Sequence, residues 1–202
     1  MTKETKITLG ICLASIALFI GFIYYYKATN PTIVKVVDSQ VLVREDSQKI
    51  ISKTDDKLTL VEFADFECEA CKAAHPLVKK ILKDYDGRIT YVFRNFPLHG
   101  NSVLAAKTAE AAGEQGKFWE MYDKLFENQL EWGEKSTPQT GLFSTYALEL
   151  GLDMEKFKTS LNSNDYADKI QRDQKDGVTA GVKGTPTFFL NGKKVNPNEL
   201  IN

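Results

Sequence analysis

Cysteine is scarce in this chain of 202 residues, with three in all: Cys12, Cys68 and Cys71. That excludes a small scaffold stapled by many disulfides, and the length suffices to bury a core without such help. Proline (6) and glycine (13) are ordinary or low, which excludes collagen-like and low-complexity classes. Neither sign of charge dominates, since 26 basic residues stand against 27 acidic ones. Beyond Lys27 the balance is 23 basic to 26 acidic. No basic face is evident, so nucleic acid is not an expected partner. Internal repeats are also lacking.

What the chain does have is a run of twenty residues without a charge, Ile7 to Tyr26. As a helix it would be about 30 Å long, the thickness of a bilayer's hydrocarbon core. Tyr24, Tyr25 and Tyr26 close it, where amphipathic rings favour the headgroup level. They also stand where a cleaved signal peptide would carry small residues. Ile11 before Cys12 does not suit lipid attachment. The expectation is an uncleaved single-pass anchor at 7–26, preceded by a cytoplasmic tail at 1–6. Lys3, Lys6 and the amino terminus precede the run, and only Lys27 closely follows it. This bias places the rest of the chain on the extracytoplasmic side of the cell membrane.

Residues 27–57 read as a linker, punctuated by Asn30-Pro31. Val34, Val36 and Val37, then Val41 to Val43, suggest short edge strands there. Leu58 to Phe63 has the apolar run of a central buried strand. A helix is predicted from near Cys68 to about Tyr85, with Leu77, Val78, Ile81 and Leu82 facing inward, a kink at Pro76 and a stop at Gly87. Ile89 to Phe93 is β-branched and aromatic and predicts a second strand, parallel to the first.

Helical spacing then takes over for residues 100–178. Asn101 or Ser102 caps a helix through Ala112; Phe118, Tyr122 and Leu125 mark another. Thr137-Pro138 starts a third, Asp153 a fourth carrying Met154, Phe157 and Leu161, and Tyr166 to Val178 forms a fifth. The final part, 179–202, returns to strand at Thr187 to Leu190. Asn191-Gly192 favours a two-residue hairpin turn into Lys193 to Val195.

Chemistry concentrates at Cys68-Glu69-Ala70-Cys71. Two residues between the thiols put both on the first turn of a helix, where unsatisfied N–H groups and the helix dipole favour an anion at Cys68. C-type haem attachment needs His where Lys72 stands. A zinc site drawn from Cys68, Cys71, His75 and His99 remains an alternative, although it would pair ligands along a helix. A purely structural disulfide would close too small a loop to restrict the unfolded chain much. Glu62 lies on the incoming strand in apolar company. Burial would raise its pKa and fit it to exchange protons with a thiol. Gly184-Thr185-Pro186-Thr187 enters a strand, and Pro186 suggests a cis turn that leaves backbone groups free to pair with a peptide.

Four stretches resemble the DsbA family of thioredoxin-fold oxidoreductases in its membrane-anchored bacterial form. They are Val61 to Cys71, Arg94-Asn95-Phe96-Pro97-Leu98, Gln115-Gly116-Lys117-Phe118-Trp119, and Gly184 to Gly192. The resemblance covers roughly residues 45–195. It implies an α/β thioredoxin-like fold with an inserted helical domain, behind one N-terminal transmembrane helix. The first thioredoxin half would be 58–99, the insert 100–178 and the second half 179–202. It further implies a cis Thr185-Pro186 peptide facing the dithiol, Cys68 as nucleophile, Cys71 as resolving thiol and Glu62 as buried acid. Phe66, Thr185 and Pro186, with Glu69 and Ala70, would contact substrate. No cofactor is implied; the partners would be cysteine-containing polypeptides and a membrane quinone-linked thiol oxidase.

Three departures qualify the resemblance. Glu69-Ala70 lacks the His that helps make the family's strong oxidants, and an anion beside Cys68 should make the couple less oxidising. No lysine on Ile89 to Phe93 can pair with Glu62, which leaves Tyr91 or water. The family's closing helix is nearly absent after Asn196. The expected activity is disulfide introduction or exchange in secreted or surface polypeptides. Reduction or isomerisation on the same fold remains an alternative, as does a zinc-stapled binding module.

Overall fold

The computed structural model describes residues 3–29, 36–54 and 58–200; the side chains of 3–11, 27 and 28 lie outside the description. Two compact units result, 1–35 and 36–202. In the first, a single helix α1 (Lys3–Thr29) contains the whole apolar run and begins inside the expected tail. Among the described residues no helix is long and apolar enough to cross a membrane. Asn30-Pro31 and Val34 lie outside the described residues.

The second unit opens with a short helix α2 (Ser39–Leu42), capped by the Asp38 carboxylate on the Gln40 N–H at 2.9 Å. Val41 is therefore helical, which corrects the expected strand. Val36 makes only an isolated bridge to Lys193. A polar edge strand, β1 (Gln48–Ile50), occurs instead. Then follow β2 (Leu58–Ala64), α3 (Glu69–Asp84) and β3 (Ile89–Asn95). Pro76 sits inside α3 without ending it. The inserted helices are α4 (Ser102–Gly113), α5 (Phe118–Glu127), α6 (Gln129–Trp132), α7 (Thr140–Glu149), α8 (Met154–Asn162) and α9 (Asn164–Ala180). The chain returns through β4 (Thr187–Leu190) and β5 (Lys193–Val195) to a 3-10 turn at Pro197–Leu200. Asn191 and Gly192 both have positive φ, as their two-residue turn requires.

The strands form one sheet in the order β1-β3-β2-β4-β5. Strand β2 pairs parallel with β3 and antiparallel with β4, so it is central. Its alternation divides the core. Leu60 and Ala64 pack with Tyr91, Phe93, the Val78–Ile81 face of α3 and the aromatic insert. Val61 and Phe63 pack on the other face with Leu42, Phe96, Ala180 and Phe189. Glu62 shares the register of Leu60 and Ala64 and so points toward the face that α3 covers.

Candidate active site

Strand β2 ends in Asp65-Phe66-Glu67, and the chain turns into α3 with Cys68 at the N-cap. Both thiols are free. Cys71, one turn on, is 1% exposed, whereas Cys68 is half-buried. The Thr185-Pro186 peptide is cis, and the Cys68 thiol donates to the Thr185 carbonyl at 3.5 Å. The proline loop therefore faces the reactive sulfur.

The two thiols have opposite electrostatics. The Cys71 thiol donates to the Cys68 sulfur and is the main cause that lowers Cys68 to about 5; Thr185 and the N–H groups of Cys71 and Ala70 add to it against partial burial. Burial raises Cys71 far above the ordinary thiol range, aided by its bond to Cys68 and the nearby charge of Glu62. At neutral pH one sulfur is an anion and the other retains its proton.

Glu62 is 1% exposed. Burial raises it to about 7, although Tyr91, whose hydroxyl donates to the carboxylate, partly opposes the rise. Tyr91 thus takes the place left open by the missing lysine. Its own pKa is pushed up by burial and by Glu62, so it remains a donor.

Glu69 and Ala70 are exposed beside Cys68, and Thr185 and Pro186 are part-exposed. Phe66 is not a substrate contact: at 1% exposure its ring packs on Phe93, Tyr122 and Phe126 at 5.0, 5.9 and 5.0 Å. Asp65 and Glu67 on either side of it point elsewhere, so the turn directs Phe66 into the core. The zinc alternative is also corrected. His75 Nε2 meets Asp123 at 2.7 Å and His99 Nδ1 meets Asp65 at 2.6 Å. Among the described residues, the grouping of three or more metal-type ligands is His75, Asp123 and Glu127, without a cysteine. Lys79 already bridges those two carboxylates at 2.9 and 3.3 Å.

Sequence reasoning missed the tethers behind Cys68. Asp65 accepts from the Glu67 and Leu98 N–H groups at 2.9 and 2.8 Å. Its bond to His99, helped by the charges of Asp65 and Cys68, outweighs desolvation and raises the His99 pKa. Glu67, 4% exposed, accepts from the Asn101 and Glu134 N–H groups at 2.6 and 2.9 Å. Gln129, 3% exposed, donates to the carbonyls of Phe66 and Cys68 at 2.7 and 3.0 Å. An open hollow of about 730 Å³ lies between α9 and the segment after β3, lined in part by Phe96, Leu98, Val178, Val182 and Lys183.

A dithiol at a helix start, a cis proline across from it, a buried acid behind it and helices inserted into a five-stranded sheet together define a thioredoxin-fold redox protein. The family model described as Thioredoxin matches residues 45–201. BdbD from Bacillus subtilis, in its oxidised crystal structure, superposes with a TM-score of 0.69 at 26% identity, over 85% of this chain and 94% of that one. The thiol-disulfide exchange protein alpha-DsbA2 from Wolbachia pipientis shares the fold, with a TM-score of 0.67 at 21% identity over 80% and 87% of the two chains. A protein named Na(+)/H(+) antiporter NhaA 3, from Salinispora tropica, is 38% identical over 162 residues, which are 79% of this chain but 24% of that one. The chain spans about a quarter to a third of the length of the curated relatives it matches. It belongs to the thioredoxin family, with the build of the DsbA-like thiol-disulfide oxidoreductases.

Proposed function

We propose that this chain is a membrane-anchored thiol:disulfide oxidoreductase that introduces or exchanges disulfides in secreted or cell-surface polypeptides. The observation that carries the reading is the asymmetry of the pair: Cys68 lowered to about 5 beneath a cis-proline loop, with a protonated Cys71 buried behind it. In the oxidising direction a substrate thiolate attacks Sγ of Cys68 in the Cys68–Cys71 disulfide. A substrate–Cys68 bond forms, the Cys68–Cys71 bond breaks, and Cys71 departs with the electron pair. It takes a proton from Glu62, whose pKa near 7 leaves it half protonated at neutral pH, or from water. A second substrate thiolate then attacks the substrate sulfur of the mixed disulfide. Cys68 leaves as a stable thiolate, and the enzyme is left as the dithiol.

Thr185, Pro186, Glu69 and Ala70 border the reacting sulfur, and the Thr185 side chain helps to hold Cys68 as an anion. The apolar hollow along Phe96, Leu98 and Val178 supports a polypeptide substrate. The uncharged run Ile7 to Tyr26 supports anchoring, and the lysines before it support an extracytoplasmic catalytic unit. Reoxidation would then fall to a membrane quinone-linked thiol oxidase. Glu69 favours a second reading, in which a less oxidising couple reduces or isomerises disulfides.

Equilibration of the full chain with glutathione buffers separates the two. A potential between about −120 and −180 mV supports the oxidant; one near −270 mV supports the reductant. With dithiothreitol-charged protein, Cys68→Ser abolishes insulin reduction and Cys71→Ser accumulates mixed disulfides. Normal turnover in either variant would overturn the assigned roles.

A further inference from the structure

The inserted helical domain reaches the peptide of the reactive cysteine through the side chain of Gln129. Gln129 begins α6, and its Nε2 lies 2.7 Å from the Phe66 carbonyl and 3.0 Å from the Cys68 carbonyl. Only the nitrogen of an amide can face two carbonyl oxygens, and its two hydrogens match the two acceptors. The Cys68 carbonyl already accepts the first helical bond of α3, from the Lys72 N–H at 3.1 Å. Gln129 therefore adds a second donor to the peptide that opens the helix.

The position of Gln129 is itself fixed. Trp132, fully buried, donates its indole N–H to the Leu125 carbonyl at 3.0 Å and packs on Phe143. Gly133 closes the turn with its N–H on the Gln129 carbonyl at 2.7 Å, and a Cβ there would sit 2.9 Å from that same oxygen. The next residue, Glu134, has φ +58°, a conformation that L side chains rarely adopt. Its N–H is held by Glu67, the residue immediately before the nucleophile. The insert thus holds Glu67 and the residue on either side of it: Gln129 takes the carbonyls of Phe66 and Cys68, and the Glu134 N–H meets the carboxylate of Glu67.

Resting on the reading of Cys68 as an attacking thiolate, we propose that Gln129 is a positioning residue through which the inserted domain sets the acidity of Cys68. Its amide dipole points its positive end at the Cys68 peptide, which favours negative charge nearby. It also fixes the N-cap geometry that aims the Ala70 and Cys71 N–H groups at the sulfur. A single-turn helix far from Cys68 in sequence is thereby coupled to the redox chemistry.

The test is the ultraviolet absorbance of the thiolate, titrated in the reduced full chain and in Gln129→Met, which keeps length and volume but donates nothing. The variant should titrate about one unit higher, and its equilibrium constant against glutathione should shift several-fold toward the disulfide, while its circular dichroism stays native. Gln129→Asn, whose amide is drawn back by one methylene, should move the midpoint in the same direction by less; it also serves if the Met variant does not fold. A purely structural role would lower the unfolding temperature and leave the midpoint alone. Unchanged midpoints in both variants overturn the proposal. A wild-type midpoint in the ordinary thiol range would instead overturn the redox reading itself, so the two failures are distinct.

Discussion

At the scale of single residues, the site is a division of labour between groups of similar chemistry. Cys68 and Cys71 differ because the first sulfur accepts from the Cys71 thiol and from helix N–H groups, whereas the second is buried and keeps its proton. Glu62 provides a pH dependence whose sign can be worked out. Its folded pKa, about 7, lies above the ordinary carboxyl value of 4.5, so the folded state holds the proton more tightly. Stability from this group is full below pH 4.5, falls as pH rises to 7, and is flat above that. Glu62→Gln should therefore stabilise the domain at pH 8 by on the order of 3 kcal/mol, and by nothing near pH 4, in urea unfolding. The same substitution should slow disulfide exchange and flatten its pH profile between 5 and 8. Equal stability changes at both pH values would remove the buried charge from the account. Glu62 was legible in the sequence because a carboxylate in an apolar run demands explanation. Phe66 was misread, since an aromatic beside a dithiol looks like a binding surface until its ring is seen among Phe93, Tyr122 and Phe126.

At the scale of elements, β2, α3, β3 and the Thr187–Val195 hairpin were readable because their periodicity or turn residues act locally. Strand β1 was not, because Gln48-Lys49-Ile50 is polar and is held at an edge by its pairing with β3. Gln129 was equally opaque; its meaning lies in two carbonyls about sixty residues away. Helix α9 shows how closely elements pack. A Cβ at Gly177 would lie 2.6 Å from the Phe96 ring and 3.0 Å from Phe63. Gly177→Ala should thus destabilise the unit by about 1–3 kcal/mol despite its better helix propensity, measurable as a lower urea midpoint at unchanged slope. A stabilising effect would show that the contact yields freely.

At the scale of the molecule, buried charge ties distant segments together. Arg94 is fully buried and donates to Asp173 at 2.9 Å, Asp176 at 2.6 Å and the carbonyls of Val41 and Leu42 at 3.1 and 2.7 Å. Arg44 joins Asp176 at 2.7 Å, and Lys169 pairs with Glu110. The network fastens the segment after residue 36 to β3 and α9, on the face opposite the dithiol. Removing one partner strands the others. Arg94→Met should cost about 3–5 kcal/mol in equilibrium unfolding, far more than a surface ion pair would, and a loss below 1 kcal/mol would contradict that role. The sequence displayed Arg94-Asn95 within a family motif, yet no local pattern announced partners eighty residues later.

The measurement that tests the central claim most directly is the pH titration of the Cys68 thiolate in the reduced full chain, followed by its ultraviolet absorbance and checked by loss of the step in Cys68→Ser. The account predicts a midpoint near 5, with Cys71 silent through neutrality. A midpoint at the ordinary thiol value, about 8.5, would contradict it.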